Sequence, residues 1–108
     1  KFPLELKMSS KGSVVIDKIV YGENDTKIYY KNKGTVLYRP SITLLDNGGR
    51  NMLENVPILF QNNVVDRDSG LYVNILPKLD GNKVSKLQYV TDEKFELLYD
   101  YKISIPLK

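Results

Sequence analysis

The sequence contains no cysteine, no histidine and no tryptophan. The missing Cys and His exclude zinc sites of the Cys/His type. They also exclude cysteine nucleophiles and Ser-His-Asp triads, because neither the thiolate nor the imidazole base is there to act. Without cysteine there is no disulfide framework, which fits a cytosolic protein and equally an exported one that needs no staple. No apolar run approaches the roughly 18 residues of a membrane-spanning helix. No short apolar run near the start reads as a secretion signal. Gly48-Gly49 lacks the following Gly-Lys-Ser/Thr of a phosphate-binding loop. The first residue is Lys1 rather than Met, and the chain is expected to be a piece of a longer or processed protein.

What is present describes a single globular domain spanning residues 1–108. The chain is 42% apolar and 27% charged, and it is long enough to bury a core unaided. The net charge of +3 is unevenly spread: residues 1–50 hold nine Lys/Arg against five Asp/Glu, and the remainder holds seven against eight. Such a surplus suits an anionic surface such as a cell wall or lipid head groups, although scattered surface lysines account for it more simply. The cations form no dense cluster, so no nucleic-acid partner is expected.

The hydrophobic period is 2 along most of the chain. In residues 95–105 the odd positions are Phe95, Leu97, Tyr99, Tyr101, Ile103 and Ile105, and the even ones are mostly polar. A helix would scatter these residues around its circumference, whereas a strand puts them on one face. Fully extended, the segment would span roughly 37 Å, so a bend is expected near Asp100. Leu4, Leu6 and Met8 alternate in the same way. Val14, Ile16 and Val20 share a parity that Lys18 interrupts, and a bulge at Asp17-Lys18 would turn Ile19 and Tyr21 inward. Residues 22–25 form a turn, residues 26–31 a strand, and residues 32–34 its end. Pro40 places residues 36–38 on an edge or at a crossing. Residues 41–45 form a strand with Ile42 and Leu44 inward. Asp46-Asn47-Gly48-Gly49 then predicts a type I′ hairpin with a return strand over 51–60. Residues 61–63 and 66–70 read as loops around a short Val64-Val65, residues 71–76 as a strand with Leu71, Val73 and Ile75 on one face, and residues 86–90 as a strand with Leu87 and Tyr89 on one face. The expected fold is an all-β, immunoglobulin-like antiparallel sandwich of about seven to nine strands. A small closed β-barrel is the alternative.

Within residues 19–34, "IVYGENDTKIYYKNKG", alternation places Ile28 and Tyr30 on one face and Lys27, Tyr29 and Lys31 on the other. An exposed tyrosine between two cations could stack a sugar or a base, and Tyr38 and Tyr72 are further candidates for a sugar-binding face. The simpler reading is a solvated outer face on which Tyr29 covers lysine stems. Asp66-Arg67-Asp68-Ser69-Gly70 begins like a calcium loop, but the position that needs a bidentate Glu is Pro77. It reads as an Asp-rich turn. The thirteen acids show no spacing that selects a glycosidase pair. No catalytic, cofactor-binding or metal-binding residue is expected.

The run "VVIDKIVYGENDTKIYYKNKG", followed by "ITLLDNGGRNM" and the closing "YKISIPLK", resembles the immunoglobulin-like extracytoplasmic domain of Gram-positive membrane proteins related to anti-sigma factors. The shared features fall at residues 14–19, 28–30, 46–48 and 103–107, in order along most of the chain. The central stretch 56–69 departs from the family's pattern. The resemblance implies a domain outside the membrane, beyond a membrane-spanning helix of its parent, with no settled activity. It carries over no catalytic residues. The expected function is a non-enzymatic interaction or sensing module that meets a protein or cell-wall partner. A carbohydrate- or cell-wall-binding module using exposed tyrosines is the alternative function.

Overall fold

Alternating sequence becomes extended backbone in the computed structural model, which describes residues 2–9, 12–34, 42–53, 61–91 and 101–107. Eight strands form: β1 (Leu4–Ser9), β2 (Gly12–Tyr21), β3 (Asp25–Gly34), β4 (Ile42–Asp46), β5 (Gln61–Asp66), β6 (Leu71–Pro77), β7 (Val84–Thr91) and β8 (Tyr101–Pro106). No helix occurs among the described residues. The strands make two sheets, ordered β1-β2-β3-β6-β5 and β4-β7-β8, and every pairing within them is antiparallel. The two sheets remain separate, so the fold is a β-sandwich and not the closed barrel.

Both sheets contribute to one apolar core. The five-stranded sheet supplies Leu6, Val14, Ile16, Ile28, Tyr30 and Leu76; the other supplies Ile42, Leu44, Val84, Leu87 and Tyr89. Each such side chain stabilises the fold by about 1.5–3 kcal/mol through burial. Ile103 and Ile105 of β8 pack against this cluster as their parity requires, facing Tyr89 and Leu87 across the ladder. The expected bend near Asp100 and the expected strand at 36–38 lie outside the described residues, as does Tyr38.

The bulge in β2 is real. Ile16 pairs with Tyr30, Lys18 pairs with Tyr29, and Asp17 is the extra residue between them. Residues directly opposite in an antiparallel pair point to the same side. Val14 and Ile16 therefore face inward before the bulge, and Ile19, opposite buried Ile28, faces inward after it. Tyr21 follows on the same side opposite Thr26, at the end of the sheet, where it stays 39% exposed.

Four expectations need correction. β3 does not end at Lys31 but pairs on through Gly34 with Gly12 of β2. The turn after β4 is not type I′: its left-handed residue is Gly49 (φ 81°), and no positive φ falls on Gly48. The Gly49 N–H donates to the Asp46 carbonyl, and Asp46 Oδ1 accepts from the Gly48 and Arg50 N–H groups. This is the pattern of a tight turn followed by a left-handed glycine. The described part of the return strand, 51–53, makes one bridge, Leu45 to Asn51, and then turns. Asn51 bends it there by accepting the Leu53 N–H on its side chain. The rest of the expected strand, 54–60, lies outside the described residues, and among the described strands β4 pairs with β7. Residues 61–63, expected as a loop, pair with Val73–Ile75 as the start of β5. Their sequence shows no apolar alternation, and so hid this strand.

The fourth correction concerns Tyr72 of β6, a candidate for the ligand face. Leu71, Val73 and Ile75 do share one face, the outer one, and the core-facing row is Tyr72, Asn74 and Leu76, set opposite Tyr30, Ile28 and Thr26 of β3. Tyr72 stacks on Tyr30 with ring centroids 5.5 Å apart and planes 20° apart. Five of the six residues in 71–76 are apolar or aromatic, so parity in the sequence cannot choose a face. The neighbouring strand chooses it.

Tyr30 is thus a central core aromatic, whereas Tyr29 lies on the outer face. Tyr30→Ala is expected to destabilise the domain by about 3–5 kcal/mol, as truncation of a buried aromatic does. Tyr29→Ala is expected to cost about 1 kcal/mol or less. Denaturant midpoints of the two variants at equal slope check this; equal losses would reverse the faces of β3.

Candidate functional site

The outward face of the five-stranded sheet can be read row by row from the ladders. Lys33 sits beside Ser13 and, one strand further, Lys7. Lys31 lies between Val15 and Leu71, Tyr29 between Lys18 and Val73, and Lys27 between Val20 and Ile75. The candidate residues Lys27, Tyr29 and Lys31 therefore share one surface, as alternation requires. Tyr72 does not join them. It faces the core side, half-buried on Tyr30, because β3 dictates the parity of β6.

Lys18 is the residue that strand parity alone misses. Its Nζ lies 4.8 Å from the Tyr29 ring centroid, within cation–π range. The bulge at Asp17 puts it there, since an uninterrupted strand would aim Lys18 at the core with Val14 and Ile16. Lys31 Nζ lies 3.7 Å from Asp17 Oδ2, and Lys33 Nζ lies 3.9 Å from Glu5 Oε1, which also accepts at Oε2 from the Ser13 hydroxyl at 2.7 Å. Exposed pairs of this length contribute about 0–1 kcal/mol and exchange readily with other anions. Val73 is only 7% exposed although it lies on this outer face beside Tyr29. The face is a mixed surface of ammonium groups over aliphatic and aromatic carbon. Among the described residues it does not present several coplanar open rings, which a sugar platform needs.

A second group of residues gathers where the sheets meet at one end. The turn at 22–24, the turn at 47–50 and the connection at 78–83 all lie there, because Asp25 pairs with Pro77 and Asp46 with Val84. One shallow depression of about 510 Å³ lies among Asp46, Asn47, Gly48, Asn82, Lys83 and Ser85. Another of about 550 Å³ lies among Tyr21, Gly22, Lys78, Leu79, Asp80 and Gly81. Two carboxylates here, Asp46 and Asp80, are occupied with local backbone. Asp46 holds its turn as described above, and Asp80 Oδ1 accepts the Asn82 N–H at 3.0 Å. At the opposite end, Asp66 Oδ1 accepts the Asp68 N–H at 3.0 Å, so the Asp-rich segment 66–70 is a turn closed by left-handed Gly70. Among the described residues no group of three or more acids is placed to hold a metal ion.

Tyr21 lines the second depression. Its ring packs against Gly81, where an added Cβ would stand 2.6 Å from Cδ2 and 2.8 Å from Cγ. Gly81→Ala is expected to cost about 1–2 kcal/mol by displacing the ring. In a Tyr21→Ala background the same change is expected to cost much less, a coupling that a double-mutant cycle measures. Partial burial also raises the Tyr21 phenol above the ordinary tyrosine value by disfavouring the phenolate. With its folded pKa raised, Tyr21 holds its proton more tightly in the native state than in the unfolded one. Its contribution to stability is complete below about pH 10 and is lost as pH rises through the folded value. Tyr21→Phe is expected to flatten that part of the alkaline decline, which thermal melts across the range would show.

No protein-family model matches the chain, and no curated protein or solved structure matches it either.

Proposed function

We propose that this domain is a non-enzymatic interaction or sensing module of immunoglobulin-like type, held outside the cell membrane by a membrane-anchored bacterial parent. The observation that carries the reading is the outward face of the five-stranded sheet. A filled core lies beneath it, while Lys18, Lys27, Tyr29 and Lys31 stand together above it. The polar chemistry of the domain is thus displayed on a surface. The turn carboxylates support the same view, since Asp46, Asp66 and Asp80 each bind neighbouring backbone N–H groups. Placement outside the membrane rests on the resemblance of residues 14–19, 28–30, 46–48 and 103–107 to the extracytoplasmic family.

Labelling of intact cells that carry the full-length parent tests the placement. A membrane-impermeant amine reagent is expected to modify exposed Lys33 and Lys18 without lysis. Modification only after lysis would refute a location outside the membrane.

A further inference from the structure

The lysines on the outer sheet face form a ladder, and its spacing points to a ligand class. Alternate residues of a strand repeat at about 6.8 Å. Along β3 the outward levels are residues 27, 29, 31 and 33, and each carries a cation. Lys27, Lys31 and Lys33 supply three directly, and Lys18 supplies the fourth by lying over Tyr29. Lys7 widens the last level from β1, in the row of Ser13 and Lys33. Among the described residues two carboxylates, Glu5 and Asp17, form ion pairs with this ladder, both in loose, at least partly exposed contacts. Lys27 and Lys7 have no ion-pair partner among the described residues.

We propose that this face binds a linear phosphodiester polyanion that carries no bases, laid along β3 with successive phosphates over successive lysine levels. The regular repeat favours a chain with evenly spaced single charges. The absence of bases follows from Tyr29: Lys18 already covers its ring, and Tyr72 faces the core, so among the described residues stacked bases would find no open aromatic platform. A flat bilayer is disfavoured because the cations follow one line on a sheet that twists by about 20–25° per strand. The phosphates would displace Asp17 and Glu5 from Lys31 and Lys33 at small cost, since exposed pairs contribute little. The proposal deepens the reading of the domain as a surface interaction module and rests on it.

The probe is synthetic poly(glycerol phosphate), titrated against the purified chain in low salt. Binding is expected, and log K against log salt should fall with a slope of about −2 to −3 for about four contacts. Lys27→Gln with Lys31→Gln is expected to weaken binding about tenfold or more, while Lys83→Gln with Lys86→Gln, an equal charge change associated with the other sheet, should weaken it less than about twofold. Circular dichroism melts establish that both double variants are folded. Four results would overturn the proposal: no binding in low salt; equal losses in the two double variants; tighter binding of a thymidine oligonucleotide that Tyr29→Ala abolishes; or tighter binding of phosphatidylglycerol vesicles. None of these touches the surface-labelling result, so failure here and failure of the module reading can be told apart.

Discussion

The alternation of β3 is the constraint on which the larger sheet depends. β3 is the central strand of five, and its residues Thr26, Ile28 and Tyr30 are fully or almost fully buried while Lys27, Tyr29 and Lys31 face out. No other parity is affordable, because reversing it would put two lysines in the core and strip their hydration. Both neighbours adapt to it. β2 inserts Asp17 so that its inward residues change from even to odd numbers. β6 gives up the parity that its own aliphatic residues suggest, burying Asn74 opposite Ile28 and leaving Leu71, Val73 and Ile75 on the outer side. The mixed character of the outer face is therefore a by-product of the inner one.

The end of the sandwich is organised by polar groups acting on backbone. Thr26 is completely buried, and its hydroxyl accepts the Leu79 N–H at 3.1 Å, tying the connection between β6 and β7 to the start of β3. Leu79 is thereby held against the core edge, and Gly81 is brought under the Tyr21 ring. A larger residue at position 81 would separate the two layers at this point. The neighbouring depressions are shallow because aspartate side chains fold back on their own turns rather than into open space.

Much of this was legible in residue order. Alternation located β1, β2, β3, β7 and the inward isoleucines of β8, and the misfit of Lys18 with Val14 and Ile16 located the bulge. Of the candidate ligand face, Lys27, Tyr29 and Lys31 followed from parity within one strand. Lys18 above Tyr29 is a contact between strands and needed the register. Tyr72 was misplaced because apolar residues occupy both faces of β6, so the choice between faces is made by Tyr30 and Ile28 across the ladder. β5 was missed at its start because Gln61-Asn62-Asn63 carries no apolar pattern, and the route after Asn51 was missed because a side-chain acceptor, not a glycine or proline, turns the chain there.

The order of strands in the sheet also separates near neighbours from distant ones in the chain. β1, β2 and β3 are consecutive and can pair through two short turns, but β3 meets β6 only after the chain has travelled through β4 and β5; the hydroxyl of Thr26 and the amide of Leu79 are 53 residues apart. Closing such a loop costs entropy before any contact repays it, which places a fold of this kind among the slower two-state folders. Were β1, β2 and β3 to pair before β6 arrives, β3 would be an open backbone edge. Its outward row is Lys27, Tyr29, Lys31 and Lys33, and lysines on an edge oppose pairing with a stray chain. The same side chains that furnish the mature surface with charge would then guard an unfinished sheet against its own copies.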